Sequence, residues 1–227
     1  MKRVVINFAS GAWYPKGQVR LHRTLKENGY TGDFLGYQDP AKFGSPTHAE
    51  VPYAFKTYSF IDAVKRGYEQ IIFADSSIFA VKSWDPVWDI ISEQGYFFEE
   101  AGHWTGTWTK DSVLEKFEVT RDQAMKIPML TAGFAGIDVT NPVGMDFLME
   151  WHRFACDGDS FKGAWRNRNG EVSKDPRCEG HRHDMSVASL LAWKMGMKLG
   201  KGGTFLAYIG GPYMKPRDTV IAHLQPC

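Results

Sequence analysis

Short apolar runs alternate along the first third of the chain with longer stretches in which apolar residues return every third or fourth position. Val4-Val5-Ile6-Asn7-Phe8-Ala9 and Ile71-Ile72-Phe73-Ala74 are of the first kind and predict buried strands. Gln18 to Asn28 is of the second kind, with Val19, Leu21 and Leu25 set among charges and Gly29 just beyond as a helix stop. Asp33-Phe34-Leu35-Gly36-Tyr37 predicts another strand and Pro40 to Pro52 a loop. Phe55, Tyr58, Ile61 and Val64 predict a helix that ends at Gly67 and leads into the strand before Asp75. This alternation predicts an α/β fold, one domain with a mainly parallel central sheet flanked by helices.

Past Asp75 the pattern predicts a helix capped by Asp85, with Pro86 at its first position, running through Val87-Trp88-Asp89-Ile90-Ile91. Gly95 to Ile127 mixes aromatic and charged residues and reads as strand and loop. Met129 to Val139 reads as a turn or strand whose Gly133 and Gly136 leave the backbone open to close approach, and Gly144 to Phe154 returns to helical spacing. Asp157 to Gly180, polar and carrying Lys162, Arg166, Arg168, Lys174 and Arg177, predicts a long surface loop, a kind of segment that is often functional. Asp184 to Met195 closes the set as a helix with Val187, Ala188, Leu191 and Met195 on one face and Gly196 as its stop.

With 227 residues the chain is long enough for one well-buried core. Its 27 basic and 26 acidic residues exert no global pull on nucleic acid or an anionic membrane, so any polyanion must be bound locally. Cys156, Cys178 and Cys227 are an odd number without tight spacing, and no leader-like segment precedes the first strand, which predicts a reducing, cytoplasmic setting. No apolar run approaches the roughly 18 to 20 residues of a transmembrane span.

Candidate chemistry gathers in three places. Asp75-Ser76-Ser77 follows a buried strand, and in open α/β sheets ligands collect beyond the carboxyl ends of strands, although Asp and Ser also build simple turns. Cys178-Glu179-Gly180-His181-Arg182-His183-Asp184 packs a thiol, two imidazoles, a guanidinium and two carboxylates against a helix start, where free N–H groups favour negative charge. It has neither a Cys-x-x-Cys nor a His-x-x-x-His pair, which makes it a poor zinc site, and Asp184 reads either as a helix cap or as a functional carboxylate. Leu130-Thr131-Ala132-Gly133-Phe134-Ala135-Gly136 is the third. Trp104, Trp108 and Trp165 are available stacking surfaces for a sugar or base.

Taken in order, these pieces resemble nucleotide-sugar-dependent glycosyltransferases of the Rossmann-related GT-A fold, in particular the retaining, glycogenin-like and bacterial galactosyltransferase-like branch. Phe8-Ala9-Ser10 resembles the turn after the first strand that meets the nucleotide. Asp75-Ser76-Ser77 resembles the metal-binding Asp-x-Asp, Thr131-Ala132-Gly133 a later Asn-Ala-Gly, and Asp184-Met185 the Asp-Gln that opens a late helix. The resemblance implies a single domain, with 1–95 as the nucleotide-binding half and 96–227 as the acceptor-side half. It implies a nucleoside diphosphate sugar as donor and a glycan, lipid-linked, protein or nucleic-acid acceptor. Ala9, Ser10, Gly11, Tyr14, Lys56, Asp75, Ser76, Ser77 and Gly133 would hold the donor, and Trp104, Thr131, His181, Arg182 and His183 would line the acceptor or sugar pocket. Asp184 would be catalytic, and Asp75, Ser77 and His223 would hold a divalent cation, Mn²⁺ or Mg²⁺. Ser77 and Met185 depart from the family pattern, the first leaving one carboxylate for a cation that prefers several hard oxygen ligands. Without a metal, Arg182, Lys56 or the basic loop would neutralise the leaving diphosphate. Two other readings compete: a metal-dependent hydrolase built on Asp75, His181, His183 and Asp184, and a degenerate GT-A-like domain that binds a nucleotide or glycan without turnover.

Overall fold

The computed structural model of the chain describes residues 1–207 and the backbone of 208 and 221–223. Strands β1 (Arg3–Phe8), β2 (Asp33–Tyr37) and β3 (Gln70–Ala74) form the parallel half of a five-stranded sheet. They are joined by helices α1 (Tyr14–Glu27) and α2 (Phe55–Lys65), the right arrangement for parallel neighbours. β4 (Ile78–Ala80), α3 (Asp85–Gln94) and β5 (Tyr96–Phe97) follow, then β6 (Glu100–Trp104), α4 (Asp111–Phe117), α5 (Arg121–Ala124), β7 (Pro128–Leu130) and β8 (Phe134–Asp138). The sheet order is β2-β1-β3-β8-β5, with β8 antiparallel to both its neighbours, so β8 alone runs against the other four strands. Helices α6 (Pro142–Cys156) and α7 (Asp184–Lys194) are followed by β9 (Leu206–Tyr208) and β10 (Ile221–His223), and β10 lies between β4 and β9.

The sheet sorts its side chains by strand alternation. Val4, Ile6, Ile71 and Phe73 enter one core with Phe60 and Ala63 of α2, Leu148 and Trp151 of α6, and Val187 and Leu191 of α7. Val5, Ile72 and Ala74 enter the other with Leu21 and Leu25 of α1 and Val87, Trp88 and Ile91 of α3. These apolar strands are continuous because helices cover both faces.

Several expectations change in detail. Val19 is 68% exposed, and the inward face of α1 carries Gln18 and Thr24 beside Leu21 and Leu25. Gln18 is tolerated there because its amide donates to Asn7 Oδ1 at 2.9 Å and to the Tyr37 carbonyl at 3.1 Å. Asp85 is the first helical residue of α3 rather than its cap, and Ser83 Oγ receives the Asp85 N–H. The segment 95–127 contains two short helices as well as strands. One opens on a legible capping box, in which Thr120 and Gln123 bond each other's backbone N–H groups. Gly136 admits α3 rather than a ligand, since a Cβ there would lie 2.4 Å from Ile91 Cδ1. Gly17 lets α1 rest on the Asp75 loop, because a Cβ there would lie 2.0 Å from the Ser76 carbonyl. The long loop 157–180 is tied down by Asn167, whose amide donates to the Ser173 and Cys178 carbonyls and whose Oδ1 accepts from Val172 and Ser173. Cys156 is exposed, Cys178 is buried, both are free thiols, and Cys227 lies outside the described residues. Among the described residues no helix is long and apolar enough to cross a membrane.

Glu99 fastens the approach to β9: its two carboxylate oxygens accept from the N–H groups of Phe205 at 2.6 Å and Leu206 at 3.1 Å. Burial pushes its pKa up to about 7, against the pull of these backbone donors. A raised folded-state pKa means that the fold favours the neutral carboxyl, so this contribution to stability is complete below the unfolded value and is lost as pH rises through about 7. Urea unfolding at pH 5 and pH 8 should therefore show Glu99→Gln losing less stability across that interval than the parent. An equal loss in both proteins would refute this account of Glu99.

Candidate functional site

The end of β3 and the start of α7 meet at Lys56 in α2. Lys56 is 2% exposed, and its Nζ lies 2.8 Å from Asp184 Oδ2, 2.9 Å from the Ala132 carbonyl and 3.9 Å from Asp75 Oδ1. Tyr53 and Phe73 turn their rings toward the same ammonium, at 5.0 and 5.4 Å. Burial opposes the charge on Lys56, but Asp184, Asp75 and Tyr53 outweigh it and raise the pKa above the usual lysine value. Asp184 is 2% exposed. Its contact with Lys56 is an ion pair in which Oδ2 lacks hydrogen-bond alignment.

Asp75 follows β3 at the carboxyl end of the strand. Crowding by protein raises its pKa to about 6, with Lys56 opposing the rise and Asp184 adding to it, yet about a third of its side chain (34%) still meets solvent. Its N–H donates to the Gly133 carbonyl at 2.8 Å. The three segments singled out in the sequence thus come together: 75–77, 131–133 and 181–184. Two recesses elsewhere, one of about 150 Å³ beside Trp193 and Met197 and one of about 220 Å³ beside Arg3 and Trp88, touch none of these residues.

The other expected residues divide by what their polar atoms do. Ser76 serves the scaffold, since its hydroxyl donates to the Phe8 carbonyl at 3.0 Å and approaches Asn7 Oδ1 at 3.2 Å. The carbonyl of Ser77 accepts from Arg20 at 3.1 Å. Ala9 is buried beside β2, whereas Ser10, Gly11 and the half-exposed Tyr14 stay open at the end of β1. The Thr131 N–H donates to the Glu99 carbonyl, which sets the 131–133 segment beside Lys56. Trp104 is 50% exposed at the end of β6, and among the described residues no ring or cation contact ties it to the Lys56 cluster.

His181 is fully buried. Its Nε2–H donates to the Ser160 carbonyl at 2.9 Å while Nδ1 accepts the Lys110 N–H at 3.4 Å. With both nitrogens engaged the ring is neutral, and burial, His183 and Lys110 pull its pKa down to about 3. It has no lone pair for a metal, which removes it from the hydrolase reading. His183 caps α7 from φ 49 and ψ −112, a backbone region that only glycine enters freely. Its Nδ1 donates to the Phe161 carbonyl at 2.9 Å, which leaves Nε2 as the acceptor nitrogen. Asp184 makes no capping hydrogen bond, so the cap reading of this residue is corrected: an ion pair holds its carboxylate instead.

Among the described residues no group of three or more His, Cys, Asp or Glu side chains could hold a metal ion. Asp75 brings one carboxylate where Mn²⁺ or Mg²⁺ prefers several hard oxygens, so the described donors do not by themselves fit a divalent cation. The backbone of His223 pairs with Ile78, three residues beyond Asp75, and its side chain lies outside the described residues. Sequence reasoning passed over Tyr53 and His48. Tyr53 has a backbone φ of 60, a pKa pushed up to about 12 by burial and Asp184, and a ring 5.6 Å from that of His183. His48 Nδ1 accepts the Tyr53 N–H at 3.2 Å. The Pro-Tyr pair at 52–53, following a loop and preceding a helix, was the available signal.

No family model matches the chain, and no curated protein sequence does either. Its likeness is structural. The bifunctional glycosyltransferase WbbM matches with a TM-score of 0.61 and 11% identity over 98% of this chain, which spans 45% of that protein. A glycosyltransferase involved in glycosylation of the major capsid of PBCV-1 matches at 0.57 and 10%, over 98% of this chain and 93% of the other. Mouse xyloside xylosyltransferase 1 matches at 0.57 and 7%, over 98% and 97%. The chain has a GT-A-like glycosyltransferase fold.

Proposed function

We propose that this protein transfers a sugar from a nucleoside diphosphate sugar to an acceptor hydroxyl, with Lys56, Asp75 and Asp184 at the reacting centre. The observation that carries the reading is the buried Lys56–Asp184 ion pair opening onto Asp75 at the carboxyl end of β3, in a fold shared with glycosyltransferases. Breaking the glycosidic bond leaves positive charge on the sugar ring and negative charge on the diphosphate, so catalysis rests on fixed charges aimed at both. Asp184 stabilises the oxocarbenium-like ring. Lys56 holds that carboxylate in place and supplies positive charge beside the donor. A bare carboxylate next to a diphosphate would repel it, so Asp75 accepts instead from hydroxyl groups of the donor. Ser10, Gly11 and Tyr14 meet the nucleotide where β1 ends, and Thr131 and Gly133 line the sugar side. Asp184 is sealed behind Lys56, a position suited to charge stabilisation rather than to taking a proton from an acceptor, and on this ground we read the transfer as retaining. No step here requires a divalent cation.

A thermal-shift screen with nucleoside diphosphates and their sugars, with and without Mn²⁺, tests the whole reading. A ligand at about 100 times its dissociation constant should add about 2.7 kcal/mol. One nucleotide sugar should stabilise the protein and be consumed. Stabilisation without turnover would instead make this a binding domain, and no shift with any donor would end the assignment.

Three substitutions resolve the roles. Lys56→Met should cost about 3–5 kcal/mol in urea unfolding, because it strands a buried carboxylate, and adding Asp184→Asn should recover part of that loss. In the folded fraction, Asp184→Asn alone should cut transfer by about 10² or more with donor affinity little changed, and activity within a few-fold of the parent would deny Asp184 a catalytic role. Donor-sugar affinity that uses ionised Asp75 should strengthen as pH rises through about 6. Asp75→Asn should bind more weakly and lose that inflection, whereas tighter binding would mean that Asp75 opposes the diphosphate directly.

A further inference from the structure

Arg182 lies between two indoles, its guanidinium carbon 3.6 Å from the ring centre of Trp108 and 3.7 Å from that of Trp165. The Arg166 guanidinium comes within 5.4 Å of the same Trp108 ring. Two like charges are thus gathered on one indole. Among the described residues the one ion pair of Arg166 is with Glu179, at 3.7 Å with both side chains more than half exposed, and Arg182 enters none. Three neighbouring cations are treated differently: Arg177 is held by Asp122 and Asp175 at 2.7 Å, Lys110 by Asp159 at 2.6 Å and Lys116 by Asp157 at 2.8 Å. Burial and Arg166 pull the Arg182 pKa down to about 10, with Tyr53 and Glu179 opposing, so the positive charge there lacks its counter-ion. Stacking covers the faces of the guanidinium but leaves its edge donors, of which Nη1 already gives to the Trp165 carbonyl at 2.8 Å.

The surface is continuous with the reacting centre. The Trp165 ring lies 5.7 Å from that of His183 and 6.3 Å from that of Tyr53, whose own ring faces Lys56. Trp165 reaches the reacting centre through these two rings, and among the described residues no ring or cation contact joins it to Ser10, Gly11 or Tyr14. Trp165 is 45% exposed, an aromatic surface of the kind on which sugar rings stack.

We propose that Arg166, Arg182 and Trp165 form the acceptor subsite and that the acceptor is an anionic saccharide, its ring against Trp165 and its phosphate or carboxylate on the two guanidinium edges. This rests on the glycosyl-transfer reading and specifies its substrate class. Isothermal titration of the full chain with glucose, glucose 6-phosphate, glucuronate, inorganic phosphate and UDP tests it. At least one charged sugar should bind about tenfold or more tightly than both glucose and inorganic phosphate, the scale of one or two charge-assisted hydrogen bonds, and high salt should erase the difference. Arg182→Gln and the exposed Arg166→Gln should each lose that preference while UDP affinity stays within a few-fold of the parent. The Arg166 variant keeps the test decisive if loss of Arg182 harms folding. Equal binding of glucose and its charged derivatives would overturn the proposal. So would a tenfold fall in UDP affinity on loss of Arg182, which would give that arginine to the donor diphosphate. Failure of UDP and of every other nucleoside diphosphate to bind, with charged sugars still selected, would sink the transferase reading and leave the anionic-saccharide site standing.

Discussion

A full positive charge inside the protein, Lys56, sets the terms for the centre of the molecule. An ammonium with 2% exposure is tolerable only if negative groups are brought to it, and they come from elements far apart in the chain. The carboxylate of Asp184 comes from α7, the carboxylate of Asp75 from the end of β3, and the carbonyl of Ala132 from the segment before β8. Each carrier must be in place for the charge to be matched. The two cores hold them there: α2, α6 and α7 on one face of the sheet, α1 and α3 on the other. The apolar interior and the polar centre are therefore one problem, since a shift of α7 that left its packing intact would still strand a charge.

The fold was legible where it is locally written. The apolar runs at β1 and β3 have one interpretation once helices flank them, and the glycines after α1 and α7 take the positive φ that ends a helix. Lys56 belongs with these only through resemblance, because nothing within α2 distinguishes a lysine bound for the interior from one bound for solvent. Burial of Gln18 in place of Val19 has the same origin, since the amide's partners Asn7 and Tyr37 lie on other elements. The short helices between 111 and 124 escaped because seven and four residues are too few to show a period, and a capping box was the one local sign of the second. At Asp184 the residue was legible and its situation was not: a helix start suggests a cap, and a partner on α2 displaces it.

The loop 157–180 shows why charge content alone misleads. Most of its neighbouring cations are spent on internal carboxylates, and the buried Ser160, Phe161, Ser173 and Cys178 anchor it to the body. A basic stretch that reads as solvated surface is in part internal architecture: its backbone is anchored and Arg177 is tied to carboxylates, while Lys162, Arg168 and Lys174 are exposed and enter no ion pair among the described residues.

Tyr53 and His183 share an unusual property beyond their facing rings: each holds its backbone at positive φ without being glycine. Such conformations cost of order 1–3 kcal/mol apiece and persist only where the surroundings over-determine them. Selection for stability alone would replace both by glycine, which relaxes the backbone and discards the ring. A lineage that kept the fold but dispensed with the chemistry would be free to make that exchange, so these two positions record, in stability forgone, whether the centre is still in use.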